Sequence, residues 1–600
     1  MSKLNGTLGL GLGLSAVAGV VLGACSLAVD FAECRNDGDC LTQGDGQWQC
    51  SNGRCIEPAG GSSSSTQAPS TGDTVPTTGP ATDPSSSGDT GTTSPVTVTT
   101  GDTSTDTGTS TDTDTDTGPI ACTLNTECER ALGDGHLCVE DSCVSALTED
   151  CTKLTWPSKG SHDKVVLIGS TMPISEPFAS LTVPLQNSTQ LAIEDYNATT
   201  DLPGGNKIAW IACDDRGSVD RALTIAQHLT GTLKIQALVG PLFSEQVLAV
   251  AEQVAVPAGV FMISPTATAK SITTLADDNL VWRPIASDVY QANALADRVL
   301  ALDPKAAKVA MLGKDDVYGN GLISDVTKRL GMLLGAGFKT WAYPDPVSMS
   351  PDEIKAAYAF ILGDAWGPIG EPHPDTMLFA GTSEVANLVL STMSAWGAEN
   401  PPPTPPRMIV THGAVPSMEI IVNAAPAPIK GLLMQILEGI APEIFDPQNF
   451  AAFNLRYRLR FDGVDAVTAG SLSYDAAMVT ILGMAGIPQG EPVTGAAIAK
   501  NMARLVDKEG TVVSFGEVDG TKLVFIEKAR NALVIGKSVD LKGVSGALDF
   551  DLTTGEVRTN VVGWGLVPKE GMPEVPVLTP KRLYVLNPPP AETGAWVDLP

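Results

Sequence analysis

From Lys164 onward the chain repeats one rhythm: a short apolar, β-prone run, a polar turn, then a stretch with helical spacing. That alternation is how parallel sheets are built from strand-helix units, and it leaves few other fold classes open. Val165-Val166-Leu167-Ile168 predicts a buried strand and Gln186 to Asn197 a helix. Ile208-Ala209-Trp210-Ile211 predicts the next strand, with Val219, Ala222, Leu223 and Ala226 recurring at helical spacing behind it. Ala237-Leu238-Val239 precedes a helix from Ser244, and Val260-Phe261-Met262-Ile263 precedes Ser264-Pro265-Thr266-Ala267-Thr268. A second series runs through Val309-Ala310-Met311-Leu312, with a helix from Gly319, then Met377-Leu378-Phe379 with a helix near Thr382, and Met408-Ile409-Val410. Two series imply two sheets, and so an α/β body with two lobes.

Ligands of open parallel sheets lie beyond the carboxyl ends of the strands, where helix amino termini present free N–H groups. In the first series those ends carry Ser170-Thr171, Asp214-Asp215, the Gly240 to Ser244 turn and the Ser264 to Thr268 turn. A hydroxyl at a helix start, such as that of Ser244, either caps the helix or binds an anionic group of a ligand.

Six segments in order carry a resemblance to a known family. They are Val166-Leu167-Ile168-Gly169, the Asp214-Asp215 strand end, Ile263-Ser264-Pro265-Thr266-Ala267-Thr268, Lys314-Asp315-Asp316-Val317-Tyr318-Gly319, Leu472-Ser473-Tyr474-Asp475-Ala476-Ala477 and Gly546-Ala547-Leu548-Asp549-Phe550-Asp551. Residues from about 165 to 568 resemble the branched-chain amino-acid-binding branch of the type I periplasmic-binding proteins, receptors that feed ABC importers. The resemblance implies a two-lobed Venus-flytrap fold with a parallel sheet in each lobe and a small-molecule ligand between them. It implies that Ser244 and Thr268 hold a ligand carboxylate, that the Thr266 carbonyl helps hold the ligand's amino group with Ala267 beside it in the turn, and that Tyr318 and Tyr474 line the second lobe and the cleft. Two positions depart from the family: His412 stands where an acid for the ligand ammonium belongs, and Thr382 replaces an aromatic residue. Glu384 is the nearest replacement acid. Phe243 occupies the place of a half-cystine found in some relatives, so Cys213 is either free or paired with Cys151.

The binding domain is expected over 163–568, with lobe 1 at about 163–286 and 441–543 and lobe 2 at about 287–440 and 544–568. Runs around Asp519-Gly520 suggest a hairpin between Thr511 and Val544, and the Pro-rich residues 569–600 read as a strap or tail.

Ahead of this body the texture differs. Lys3, the apolar run Leu8 to Leu22 and the small residues Gly23-Ala24 before Cys25 read as a secretory signal over 1–24. The run is too short for the ~20 residues that cross a bilayer. Leu22-Gly23-Ala24-Cys25 resembles a bacterial lipobox, so Cys25 is the expected lipidation site and the lipid its only membrane contact. The expected address is the cell envelope, facing the periplasm or on the outer membrane or cell surface. Eight further cysteines form two copies of one spacing. Cys34, Cys40, Cys50 and Cys55 (within 25–60) repeat as Cys122, Cys128, Cys138 and Cys143 (within 121–150), each copy with a Gly-Asp-Gly between its second and third cysteines. In an oxidising compartment these predict small modules with two internal disulfides each, in one of three connectivities. No zinc-knuckle C-x2-C is present, and no metal or cofactor is expected. Between the modules, 61–120 is a linker; from Ser62 to Gly118, 31 of 57 residues are Ser or Thr and eight are Asp, a composition expected to stay disordered.

A net charge of −30 excludes nucleic acid and anionic surfaces as partners recognised by bulk charge. There is no G-x-S-x-G elbow or H-E-x-x-H pair, and five histidines spread over 600 residues position no general base, so the chain does not read as an enzyme. Two readings remain: a solute receptor delivering a small polar ligand, an amino acid or related carboxylate or amide, to the permease of an ABC importer, and a cell-surface sensing or adhesion lipoprotein using the same clamshell. Fold alone does not separate them.

Overall fold

The computed structural model describes residues 49–51, 54–56, 120–367, 373–395, 404–425 and 427–599. The chain divides into two compact units, Met1–Asp116 and Thr117–Pro600. In the first, β1 (Gln49–Ser51) pairs antiparallel with β2 (Arg54–Ile56), Cys50 opposite Cys55. The expected signal 1–24, Cys25, the side chains of Cys34, Cys40, Cys50 and Cys55, and the linker up to residue 119 lie outside the described residues.

The second unit opens with the second cysteine module. A helix, Asn125–Leu132, packs on the hairpin β3 (His136–Val139) and β4 (Ser142–Ser145). The two-residue turn between the strands places Glu140 and Asp141 at φ of 47° and 63°, the twist that tight hairpins favour. Disulfides join Cys122 to Cys138 and Cys128 to Cys143, so the first cysteine pairs with the third and the second with the fourth. With separations of 16 and 15 residues, each closes a loop worth about 3 kcal/mol in chain entropy, which replaces the core so small a unit lacks. The sulfurs of Cys122, Cys128 and Cys143 lie within 4.8 Å of one another, but as disulfides they offer no thiolate to a metal. The module does not stand apart from the rest of its unit: Leu137 and Ala146 share a core with Ile211, Leu229 and Leu238, and Asp163 accepts hydrogen bonds from Thr126 N (2.9 Å) and Thr126 Oγ1 (3.0 Å). Cys151 pairs with Cys213, which settles the alternatives left by the sequence.

The first lobe is a sheet of β5 (Lys153–Thr155), β6 (Val165–Met172), β7 (Lys207–Asp214), β8 (Ala237–Val239), β9 (Phe261–Ile263) and β10 (Val281–Trp282), in the order β10-β9-β8-β6-β7-β5. Pairings among β6 to β10 are parallel, and only β5 runs antiparallel, on β7. The chain then enters the second lobe, where β11 (Val309–Lys314), β12 (Phe338–Tyr343), β13 (Thr376–Ala380), β14 (Arg407–Thr411) and β15 (Leu437–Pro442) lie parallel in the order β12-β11-β13-β14-β15. Taken from its first parallel strand, each lobe has the second strand on one side of the first and the third, fourth and fifth on the other, so the topology reverses between first and third strands in both.

After Pro442 the chain returns to the first lobe. The helix Gly470–Ala485 is buried along its whole length, which is why its sequence carries no amphipathic stripe. Between Thr511 and Val544 the expected hairpin is instead a parallel pair, β16 (Thr511–Ser514) with β17 (Val539–Lys542), bridged by the helix Val524–Val534; Asp519-Gly520 is only the tight turn ahead of that helix. A small pair, β18 (Phe550–Asp551) and β19 (Glu556–Val557), comes next. Val544, Leu548, Phe550 and Val557 bury into the first lobe's core, so the return to lobe 2 comes after Val557 and not at 544.

The last segment corrects a second expectation. β20 (Val561–Lys569), β21 (Met572–Leu586) and β22 (Gly594–Asp598) extend the second sheet antiparallel from β15, so residues 569–600 contribute strands and not a tail. Proline cannot donate to a ladder, which made this stretch read as non-strand. The ribbon absorbs Pro568, Pro576 and Pro580 with register shifts at Gly563/Trp564 and Pro568/Lys569.

Candidate functional site

The two topological reversals face a common cavity of about 490 Å3 between the lobes, within the ~300–1,000 Å3 typical of small-molecule sites. The turns and helix starts after the first, third and fourth parallel strands of each lobe supply much of its wall. From lobe 1 come Phe178 and Leu185, then Leu242 to Ser244, then Thr266 and Thr268. From lobe 2 come Lys314, Asp316 and Tyr318, then Thr382 and Ser383, then His412 and Gly413. Ser170, Thr171, Asp214 and Asp215 are not on it: Thr171 Oγ1 donates to Asp215 (2.9 Å), Ser170 Oγ accepts from Trp210 Nε1 (3.0 Å), and Asp214 accepts from Ile174 N (2.9 Å).

The turns of lobe 1 hold one another in place. Gly240 has φ of 107°, and a Cβ there would lie 2.2 Å from the Thr171 carbonyl oxygen, so only glycine lets this turn approach β6. Ser264 Oγ donates to the Pro241 carbonyl (2.6 Å) and Thr266 Oγ1 to that of Leu242 (2.8 Å). Ser244 opens the helix Ser244–Val250, and its Oγ accepts from Ala269 N (3.2 Å), so its hydroxyl joins the two turns. Buried Arg283 grips the second turn from behind, donating to the carbonyls of Ala267 (3.2 Å) and Ala269 (3.0 Å) and pairing with Glu556. Ala267 therefore supports the turn but does not line the cavity.

Thr268 is fully buried on the cavity wall, and its Oγ1 makes no well-formed hydrogen bond within the protein. Such a group costs roughly 1–3 kcal/mol and marks a place where a partner is due. Beside it, Asp288 opens the helix Asp288–Leu300; one carboxylate oxygen accepts from Gln291 Nε2 (2.9 Å) and the other has no partner. Burial pushes this carboxyl up to about 7, against the pull of Thr268, Arg283 and Gln291.

In lobe 2, Lys314 is buried with its ammonium 2.8 Å from Asp316 and 3.3 Å from Asp345. Burial opposes its charge, but Glu384, Asp316 and Asp345 outweigh that and hold its pKa above the usual lysine value. The same ammonium stands 5.3 Å from the centre of the Phe243 ring, a cation–π contact from lobe 2 to lobe 1. Tyr318 OH lies 2.7 Å from Thr411 Oγ1 and 3.1 Å from His412 Nδ1. His412 keeps part of its surface open to the cavity, yet burial brings its imidazole down to about 4, with the facing Thr266 carbonyl pulling the other way.

Of the residues expected from sequence, Ser244, Thr266, Thr268, Tyr318, Thr382 and His412 meet at this cavity, and Ala267 and Tyr474 do not. Tyr474 is buried in the lobe 1 core, its hydroxyl donating to Asp195 (2.7 Å) and accepting from Arg456 (3.2 Å). Glu384 is absent from the wall as well. Its carboxylate takes Tyr343 OH (2.8 Å), Thr382 N (2.8 Å) and the Thr382 hydroxyl, so it positions Thr382 and does not replace the missing acid. Lys314, Asp316, Glu419, Trp564 and Leu578 were missed as site residues. The first two sit at a strand end equivalent to one already suspected in lobe 1; Trp564 and Leu578 belong to the ribbon whose prolines hid it.

Residues 165–356 match the family described as periplasmic binding protein. The whole two-lobed body, with its paired parallel sheets, has the type I arrangement expected from sequence. Solved structures similar to it include the branched-chain amino acid transporter substrate binding protein LivJ from Streptococcus pneumoniae in complex with isoleucine, at 18% identity over 70% of this chain and 100% of that one, TM-score 0.48. An ABC transporter substrate-binding protein from Desulfitobacterium hafniense in complex with Leu is 20% identical over 69% and 99%, TM-score 0.44. A solute binding protein of an ABC transporter from Rhodopseudomonas palustris BisB5, in complex with 3,4-dihydroxybenzoic acid, is 17% identical over 68% and 95%, TM-score 0.46. No curated protein matches the chain.

Proposed function

We propose that this chain is an extracytoplasmic solute-binding lipoprotein that captures a small carboxylate between its lobes and presents it to the permease of an ABC importer. The observation that carries the reading is the unpartnered Thr268 hydroxyl on the cavity wall, beside Ser244 at a helix start and opposite Lys314 and His412 of the other lobe. Hydroxyls and amides from one lobe and donors from the other suit an anionic head, and closure of the lobes about it is the motion such clamshells use. The periplasmic-binding match over 165–356 supports solute capture, and no described helix is long and apolar enough to cross a membrane. Ser244, Thr266, Thr268, Tyr318, Thr382 and His412 are the proposed contacts, with Cys25 the proposed lipid anchor. A second reading, a surface sensor without transport, draws on the disulfide module packed against lobe 1, a feature that an importer's receptor does not need. Thermal-shift screening of small acids tests solute capture. A ligand at a hundred times its dissociation constant adds about 2.7 kcal/mol of stability, and a broad carboxylate panel that shifts nothing contradicts the reading. Uptake of the identified ligand by cells with and without this gene then separates import from sensing.

A further inference from the structure

The cavity wall carries two carboxylates, and their surroundings differ. Asp316 is paired with Lys314 at 2.8 Å and accepts the Gly319 N–H at 2.7 Å. Glu419, in the helix Met418–Ala424, accepts the Leu578 N–H on Oε1 at 2.7 Å. Among the described residues nothing donates to its other oxygen and no cationic side chain pairs with it. The wall around it is apolar, made by Val415, Pro416, Trp564 and Leu578. A carboxylate short of a cation, set in apolar surroundings that strengthen charge-assisted hydrogen bonds, suits a positively charged group of a ligand. Asp288 also has an oxygen without a partner, but that oxygen is buried and the residue does not reach the wall.

The sheet of lobe 2 sets how far Glu419 stands from the hydroxyls of lobe 1. Its strands follow one another as β11-β13-β14-β15-β20-β21. Lys314 ends β11 and meets the Phe243 ring, and His412 follows β14 and faces the Thr266 carbonyl. Ser244 and Thr268, next to Phe243 and Thr266 in the chain, therefore lie opposite the β11 to β14 part of the sheet. Leu578, which holds the Glu419 carboxylate, belongs to β21, three strands beyond β14 and roughly 14 Å away at the spacing of paired strands. The two charges of an α-amino acid share one end of the molecule and cannot reach both places.

We infer that Glu419 is the second pole of the site and that the ligand is a long bipolar molecule, with a carboxylate at Thr268, an apolar body, and a cationic group at its far end on Glu419. This rests on the reading of the cleft as a site for a carboxylate solute.

Calorimetry on the full chain tests it with 6-aminohexanoate, 8-aminooctanoate and 12-aminododecanoate, each against the plain acid of its length, and with leucine. At least one ω-amino acid binds about ten- to a hundredfold tighter than its plain acid, and tighter than leucine. Glu419→Gln keeps an oxygen for the Leu578 N–H and removes that advantage; Thr268→Val weakens the ω-amino acid and the plain acid alike. Should Glu419→Gln not fold, the wild-type ratios decide alone. A plain acid that binds as tightly as its ω-amino partner, an advantage that survives Glu419→Gln, or leucine as the tightest ligand each overturns the inference and leaves solute capture standing. An ω-amino acid whose affinity Thr268→Val leaves unchanged overturns it too, because its carboxylate then lies elsewhere. If none of these compounds binds, the inference fails, and an empty carboxylate screen alongside removes the solute reading as well.

Discussion

Thr268→Val separates a binding role from a structural one, because the two roles move opposite observables. The substitution keeps the shape of the side chain and removes the hydroxyl. Within the fold that hydroxyl is buried and faces the Asp288 carboxyl without a well-formed hydrogen bond, so its loss breaks no well-formed bond. An unsatisfied buried polar group costs roughly 1–3 kcal/mol, and the variant should be as stable as wild type or more stable by up to about that amount. With an anionic ligand bound, the same hydroxyl makes a charge-assisted hydrogen bond worth about 1.5–3 kcal/mol, so affinity should fall roughly ten- to a hundredfold. Denaturant unfolding gives the first number and calorimetry with a carboxylate from the screen the second. A variant that loses stability while its affinity stays unchanged would show that Thr268 is a structural residue and that the anion site lies elsewhere.

The same geometry sets three further outcomes. Asp288 has its pKa raised from 3.8 to about 7 by burial, so the folded state holds a proton that the unfolded chain has released between those values; stability from this group is full below about pH 4 and is lost as pH rises through 7. Relative to Asp288→Asn, wild type should therefore lose about 1 kcal/mol per pH unit between pH 5 and 7 in unfolding experiments, and parallel pH profiles would refute the assignment. Glu556→Ala leaves the buried Arg283 guanidinium without its carboxylate and should cost about 3–5 kcal/mol of stability, with weaker ligand binding because Arg283 also holds the Ala267 and Ala269 carbonyls; a near-neutral variant would remove Arg283 from the support of the turn. Mass spectrometry of the mature protein should find an acylated Cys25 at its amino terminus, and soluble protein beginning at any other residue would contradict lipid anchoring.

The parallel strands were legible because each is a short β-prone run closed by a polar turn, and the positions of Ser244, Thr266 and Thr268 at strand ends agree with their place on the cavity wall. Lys314 and Asp316 were equally readable, since they stand at the end of the first strand of lobe 2, but the family resemblance points only to the aromatic Tyr318 nearby. The ribbon β20 to β22 was hidden for a physical reason: prolines argue against strands, and bulges that accommodate them leave no periodic signal. Tyr474 misled because a tyrosine in a matching segment says nothing about which way its hydroxyl points, and here Asp195 and Arg456 engage it inside the lobe. Glu384 misled similarly: its nearness in sequence to the cleft was real, but Tyr343 and Thr382 occupy its oxygens.

The most direct test is a crystal structure of the full chain with the tightest acid found by screening. The account predicts the carboxylate within hydrogen-bond distance of Thr268 Oγ1 at the start of the Ser244 helix. A ligand whose carboxylate lies away from Thr268, or one bound outside the cleft, would contradict it.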